Sequence, residues 1–265
     1  MRAHFENKVA AITGAASGIG LALTELLLEN GTTLFMADIN AKGLKDQADR
    51  LNEIHPGRAK AVVTDITKAE QVQALVEQAA VHAGHLDFLF NNAGVGATLP
   101  YEQMTLDKWR WVIDVNLWSV IYGIHAALPI MRRQGHGHIV NTSSAAGIIA
   151  FPFQAVYSAT KFAVAGMTQC LRYEMWDENV RFTTVCPGNV ATAIFKGCDK
   201  VPEDAVPADE AARIILEGVA KNENVILFPE ECRQLRRLTD EQTETYLIQL
   251  SRERHENYRT KGTYF

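Results

Sequence analysis

An alternation constrains this chain more than any other feature. Short β-branched or aromatic runs, KVAAIT, TTLFMADI, AKAVVTDI, DFLFNNAG, GHIVNTSS, VRFTTVCP and NVILFP, are separated by longer segments whose apolar residues recur at helical spacing. The runs are nearly continuous in apolar character, as suits strands covered on both faces, and the helix after each run supplies the cover. Strand, helix, strand in this order predicts the α/β class: one doubly wound parallel sheet of seven strands with helices on both faces. No linker, internal repeat or low-complexity tract interrupts it, so residues 1–230 read as a single domain. Two segments stand outside the alternation. Residues 189–207, NVATAIFKGCDKVPEDAVP, carry two prolines, a glycine and mixed polarity, and read as an excursion over the strand ends that forms a substrate lid. Residues 231–265 place Leu235, Leu238, Tyr246, Leu247 and Leu250 at roughly helical spacing among many charges. That tail reads either as a helical extension partly docked on the domain or as a frayed, solvated terminus.

The hydrophobic fraction of 47% over 265 residues can fill the core such a sheet needs. With 26 Lys and Arg against 31 Asp and Glu, and no basic block, the charge pattern disfavours nucleic acid and anionic membrane as partners. Small-molecule chemistry is the better expectation. Cys170, Cys186, Cys198 and Cys232 are widely spaced without a metal-ligand pattern, and read as reduced thiols, mostly buried. A strand begins within the first dozen residues, and no stretch reads as a signal peptide or a membrane span, which points to the cytoplasm.

Between the first strand and the first helix, AAITGAASGIGLAL sets Gly14, Gly18 and Gly20. A bound phosphate needs close backbone N–H donors and a helix N-terminus, and side chains at these positions would block its approach. A glycine-rich turn in this context marks a Rossmann-type nucleotide fold. No Gly-Lys-Ser/Thr follows, which argues against a P-loop. Asp38 closes the second strand, where a carboxylate accepts hydrogen bonds from both hydroxyls of an adenosine ribose and repels a 2′-phosphate. Ser17 and Ile39 stand where a phosphate reader would carry a cation. The expected cofactor is NAD rather than NADP. As a bare residue Asp38 could equally cap the next helix, a role open to Asn40 as well.

Tyr157 and Lys161 are four residues apart on one helix, AVYSATKFAVAGM, and so share a face. An ammonium beside a phenol favours the phenolate and brings its proton into working range. In isolation the pair also fits a solvated helix face. Two further residues bear on it. Ser144 closes the strand HIVNTSS, thirteen residues before the tyrosine, at the strand end where such sheets bind ligands. Asn116 lies inside DKWRWVIDVNLWSVIYGIHAAL, where a buried amide satisfies a kinked backbone, holds water, or does both.

TGAASGIG, NNAG, VNLWSV, SSAAG, YSATK and PGNVAT, in this order and spacing, resemble the short-chain dehydrogenase/reductase superfamily over residues 7 to about 195. The resemblance implies that Tyr157 is the catalytic acid-base. It implies that Lys161 lowers the tyrosine's pKa and bonds the nicotinamide ribose, that Ser144 orients the substrate oxygen, and that Asn116 holds a relay water. Ser143 is the rival for the serine role. The same resemblance implies cofactor contacts at Gly14, Ser17, Gly18, Ile19, Gly20, Asp38 and Ile39. Further contacts are implied at Asp65 and Ile66 at the end of the third strand, at Asn92, Ala93 and Gly94, at Pro187, Gly188, Val190 and Thr192, and at Tyr157 and Lys161. No metal is implied.

The implied activity is NAD(H)-dependent interconversion of a secondary alcohol and a ketone. Val95, Ala146, Ile148, Ile149, Phe151, Phe153, Ile194 and Phe195 would line an apolar pocket, which suits a fairly hydrophobic substrate. Two other readings stay open: an NADPH-dependent carbonyl or acyl-thioester reductase, and a non-catalytic nucleotide-sensing scaffold. Family members that end soon after the seventh strand use that end in a tetramer. The 231–265 extension therefore favours a homodimer through the long helices bearing Asn116 and Tyr157, with a tetramer still possible.

Overall fold

The computed structural model describes residues 1–192, 202, 204–238 and 240–262. Seven parallel strands form one sheet in the order β3-β2-β1-β4-β5-β6-β7. The strands are β1 (Val9–Thr13), β2 (Thr33–Asp38), β3 (Ala59–Val63), β4 (Phe88–Asn91), β5 (Gly137–Thr142), β6 (Val180–Pro187) and β7 (Val225–Phe228). Each lies within a run read as a strand in the sequence. The chain winds outward from β1 to β3 and then returns to β4 on the other side, so helices cover both faces. The winding reverses between β1 and β4, and the carboxyl ends of the strands at such a switch point are where doubly wound sheets place a ligand crevice.

A short α1 (Arg2–Phe5) precedes the sheet. On one face α2 (Gly18–Glu29), α3 (Ala41–Ile54) and α8 (Ala208–Ala220) bury Leu23, Leu27, Leu44, Leu51, Ile215 and Leu216 against the strands. On the other, α4 (Ala69–Ala83), α6 (Ser119–Gln134) and α7 (Ala155–Glu174) bury Val76, Ala79, Val120, Ile124, Met131 and Val164. Each such Leu, Ile, Val or Met removed from water contributes roughly 1.5–3 kcal/mol against chain entropy. The central strands β1 and β4 are buried along their whole length, as their apolar runs require. The edge strand β3 departs from the expectation of two covered faces: only Ala59 is buried, and Ala61 and Val63 are exposed.

Two further expectations are corrected. Of the three described cysteines, only Cys186 is buried; Cys232 is partly exposed and Cys170, on the outer side of α7, is exposed. Cys198, with Ile194 and Phe195, lies outside the described residues. The run Leu106–Gln134, comprising α5 (Leu106–Ile113), a π turn (Asp114–Trp118) and α6, is long and apolar enough by length and composition to cross a membrane, contrary to the reading that no stretch would be. In this fold its inner side packs on α4, β4 and β5, which is why its composition is apolar.

After β7 the chain continues as α9 (Glu230–Leu235) and α10 (Asp240–Lys261), so the extension is helical. β7 is an edge strand whose outward carbonyls need partners. Arg233 of α9 donates from Nε to the Leu227 carbonyl at 2.6 Å, and α9 covers this edge.

Candidate active site

The glycine turn leaves β1 with Gly14 at φ +72° and Gly18 at φ +56°, a left-handed backbone that residues with a Cβ rarely adopt. A Cβ on Gly20 would strike the Gly14 carbonyl and the Asn92 amide, so the helix start can approach the strand ends only because that position is glycine. Ser17 and Ile19 flank the start of α2, Ser17 exposed and Ile19 half-buried. The result is an open cradle of backbone N–H groups at a helix N-terminus, which fits a pyrophosphate. Asp38 reaches the same turn. Its Oδ2 accepts from the Ala16 N–H at 3.1 Å and its Oδ1 from the Asn40 N–H at 2.9 Å. The side-chain cap of α3 is Asn40, which accepts from the Gly43 N–H at 3.1 Å, so Asp38 is left to brace the turn. Ile39 is exposed beside it.

Thr13, which the sequence reading passed over, joins the two strands that flank the crevice. Its Oγ1 accepts from the N–H groups of Asn92 at 3.0 Å and Ala93 at 3.1 Å, while the Asn92 amide donates to the Thr13 carbonyl at 3.0 Å. The β4 turn is thereby bound to the start of the glycine turn. A threonine that closes a strand just before a glycine is the sequence signal for this role.

Asp65 and Ile66 do not end a strand, because β3 stops at Val63 and both lie in the turn into α4. The Asp65 carboxylate accepts from the Thr67 N–H at 2.9 Å and its hydroxyl at 2.7 Å, which hold it below the usual carboxylate range. The local turn competes with the strand for these residues and wins.

The candidate acid-base residues come together at the foot of α7. Lys161 is buried, donates to the Thr142 carbonyl at 3.0 Å, and lies 5.7 Å from the centroid of the Tyr157 ring. Burial without a carboxylate lowers its pKa to about 8. Burial also raises the Tyr157 phenol, and a hydrogen bond with Ser144 offsets part of that rise. The net direction is upward, the reverse of the depression expected from Lys161, whose ammonium is engaged with Thr142. Ser144 caps the 3-10 turn Ala145–Gly147 by accepting from the Ala146 N–H at 3.1 Å, and donates weakly to the Pro187 carbonyl at 3.4 Å. Ser143 faces the other way and donates to the Lys161 carbonyl at 2.7 Å. The two adjacent serines thus divide between the tyrosine and the backbone of its helix.

Asn116 is fully buried in the π turn that interrupts α5 and α6. Its Oδ1 accepts from the Val95 N–H at 2.8 Å and its Nδ2 donates to the Val95 carbonyl at 2.9 Å, with a longer contact to Thr160. The side-chain amide therefore pairs with both backbone groups of one residue of the β4–α5 loop, while the π turn perturbs the helical backbone around it. A Cβ on Gly94 would lie 3.2 Å from Asn116 Oδ1 and 3.4 Å from Lys161 Nζ, so these groups share one small space. Cys186 of β6 adjoins it; burial holds its thiol up at about 12, and it stays neutral.

On the far wall Gly188 follows Pro187 and donates to the Phe228 carbonyl at 2.7 Å. Val190 is buried and forms a parallel bridge with Val206, which closes the base of the 189–207 segment. Thr192 packs over Gly18, 3.1 Å from where a Cβ would stand. Most of that segment, 193–201 and 203, lies outside the described residues.

A switch-point crevice with a glycine cradle, a strand-end carboxylate and a tyrosine, lysine and serine in contact defines the class: a nucleotide-dependent enzyme of the doubly wound α/β type. The family model for short chain dehydrogenases matches residues 8–201, and the chain belongs to that family. It is 40% identical over 227 residues to an uncharacterized oxidoreductase of Staphylococcus saprophyticus, spanning 80% of this chain and 89% of the relative. It is 36% identical over 232 residues to an uncharacterized oxidoreductase of Listeria monocytogenes, spanning 83% and 93%. Among solved structures, a short chain dehydrogenase/reductase from Burkholderia phymatum in complex with NAD superposes with a TM-score of 0.79 at 30% identity, over 97% of this chain and 95% of that one. Levodione reductase superposes with a TM-score of 0.78 at 28% identity, over 84% and 96%. The chain is an oxidoreductase of this family with a nucleotide-binding Rossmann fold.

Proposed function

We propose that the protein is an NAD(H)-dependent oxidoreductase that interconverts a secondary alcohol and a ketone on a fairly hydrophobic small molecule. The observation that carries this reading is the contact of Ser144, Tyr157 and Lys161 beside Gly94 at the mouth of the glycine cradle. In this reading residues 1–230 are the catalytic unit, residues 189–207 its lid and residues 231–265 an extension. Gly14, Gly18, Gly20 and Asp38 hold the dinucleotide, with Ser17, Ile19, Ile39, Asp65, Ile66, Asn92, Ala93, Pro187, Gly188, Val190 and Thr192 around it. The nicotinamide supplies hydride transfer when bound.

The chain supplies the proton. Tyr157 keeps its proton in the resting crevice and delivers it to a ketone oxygen, or accepts it back from an alcohol. Ser144 orients that oxygen and shares its developing charge with Tyr157. Lys161, with a pKa near 8, exchanges a proton at neutral pH and supports the charge left on the phenol. Asn116 braces the Val95 peptide so that Gly94 stays close to Lys161, and the π turn around it offers backbone for a relay water.

NAD over NADP is supported at the ribose end. Lys42 and Lys45, the first cations of α3, are paired with Asp46 and Asp49 of their own helix, and Ile39 offers no charge. A homodimer across α5, α6 and α7 is supported by Trp111, Trp118 and Phe162, each more than 40% exposed there. The free state of the described cysteines supports a reducing, cytoplasmic setting. The test is a panel of alcohols and ketones assayed with NAD, NADH, NADP and NADPH by the absorbance of the reduced ring. Turnover with NAD or NADH on apolar secondary alcohols or ketones is expected. Preference for NADPH defeats the cofactor assignment and favours the carbonyl or acyl-thioester reductase reading.

A further inference from the structure

α10 lies beyond the residues matched by the family model, yet it is joined to the loop that delivers Tyr157. Thr243, Tyr246, Leu247, Leu250, Ser251 and Arg254 recur at helical spacing and are its less exposed side. Arg254 is the one buried residue of the helix, and its Nη1 donates to the Pro152 carbonyl at 2.6 Å. The neighbouring His255 ring meets Phe153 edge-on, with centroids 4.8 Å apart.

Phe153 itself has φ +65°, a conformation rare for a residue with a Cβ and kept only where its surroundings over-determine it. Those surroundings are specific. The carbonyl before it is held by Arg254, and its own carbonyl accepts from the Leu99 N–H at 2.9 Å. One clamp comes from the β4–α5 loop and the other from α10. Gln154, the next residue, is the N-cap of α7, and Tyr157 follows one turn later. Within the same loop Ile148 and Phe151 pack on the cluster of Ala145, Cys186 and Leu227 beside the acid-base residues.

We propose that α10 is a wall of the substrate mouth and that Arg254 is a positioning residue for substrate recognition, acting through the strained Pro152–Phe153 turn. This rests on the crevice being the alcohol/ketone site. Arg254 sets the 148–154 loop and hence the apolar side of the pocket, while Tyr157, held also by Lys161 and Ser144, keeps its own geometry.

The test compares full-length wild type with Arg254→Met, Arg254→Lys and His255→Ala, using acetophenone as a bulky ketone probe and NADH. Losing a charged hydrogen-bond donor from the part-buried Pro152 carbonyl should raise KM for acetophenone about tenfold or more in Arg254→Met. kcat should stay within about twofold, NADH affinity should be unchanged, and Arg254→Lys should restore most of KM. Hydrogen exchange of peptides covering 148–154, read without turnover, should quicken in Arg254→Met and in His255→Ala. If Arg254→Met does not fold, His255→Ala, altered at an exposed position, carries both measurements. Unchanged KM with unchanged exchange overturns the proposal, as does a loss of kcat that Arg254→Lys fails to rescue. Should wild type turn over neither acetophenone nor any member of the panel, the functional reading and the substrate role fall together, and the exchange result still decides whether the clamp exists.

Discussion

The two ends of the central strands both bury ionisable groups, and they treat them differently. At the amino ends Asp87 is buried just before β4. Its Oδ2 accepts from the Val9 N–H at 2.8 Å and its Oδ1 from Lys8 at 3.0 Å, with His85 and His136 at 3.1 and 3.5 Å. Nearby His138 is fully enclosed, bonded to Thr183 at 2.9 Å, and held neutral by burial with a pKa near 3. At the carboxyl ends Lys161 and Tyr157 are shifted toward their neutral forms and held by backbone and a serine, with no carboxylate to fix a charge. The amino-end groups are saturated by their own neighbours, which serves stability. The carboxyl-end groups are left able to gain or lose a proton, as the proposed chemistry requires.

The sharpest way to break this contrast is Tyr157→Phe. Turnover should fall about 10³-fold or more, as for loss of a general acid, while thermal stability and NADH binding stay near wild type. Steady-state assay beside a melting curve reads both, and retained turnover would refute the assignment.

At the other end, His138 should govern acid sensitivity. Its folded pKa lies below the unfolded value of about 6.5, so its contribution is fully present above pH 6.5 and is lost as pH falls toward 3. The integrated loss is about 4–5 kcal/mol at most. Denaturant titrations at stepped pH should show this slope in wild type and a flatter one in His138→Gln.

Asp87→Ala strands Lys8 and the Val9 N–H and should cost about 2–4 kcal/mol of stability. Its kcat should be near wild type, because the crevice is at the opposite strand ends. A matching fall in kcat at a temperature where the variant is folded would erase the division between the two ends.

Lys161→Met should shift stability less than Asp87→Ala, and with the opposite sign. The folded lysine gives up its proton near pH 8 and the unfolded one near 10.5, so wild-type stability should rise between those values. Below pH 8 the buried ammonium is a cost, and removing it should stabilise the fold by about 1–3 kcal/mol while turnover drops. A destabilised variant at pH 7 would mean that the bond to Thr142 outweighs desolvation.

Much of the architecture was legible because it is local. All seven strands fall within runs recognisable from β-branched and aromatic residues, and the glycine turn was readable because left-handed backbone selects glycine. The Tyr157 and Lys161 pairing follows from helical periodicity alone. The third strand stops three residues short of the run that suggests it, leaving Asp65 and Ile66 outside, since Thr67 draws the chain into a turn that a strand pattern does not announce. The upward shift of Tyr157 was missed for a different reason: spacing reveals which side chains meet, but not how much water they lose.

The sequence by itself determined the class of fold, the order of its elements and which residues are candidates for chemistry, because periodicity, turn chemistry and residue type act over a few neighbours. Only the tertiary structure decided which serine turns to the tyrosine, that Asn116 grips Val95, that Asp87 collects partners from three segments, and that Arg254 reaches Pro152 from 102 residues away. Those contacts depend on burial and on chain segments remote in sequence, and neither is encoded in any short stretch.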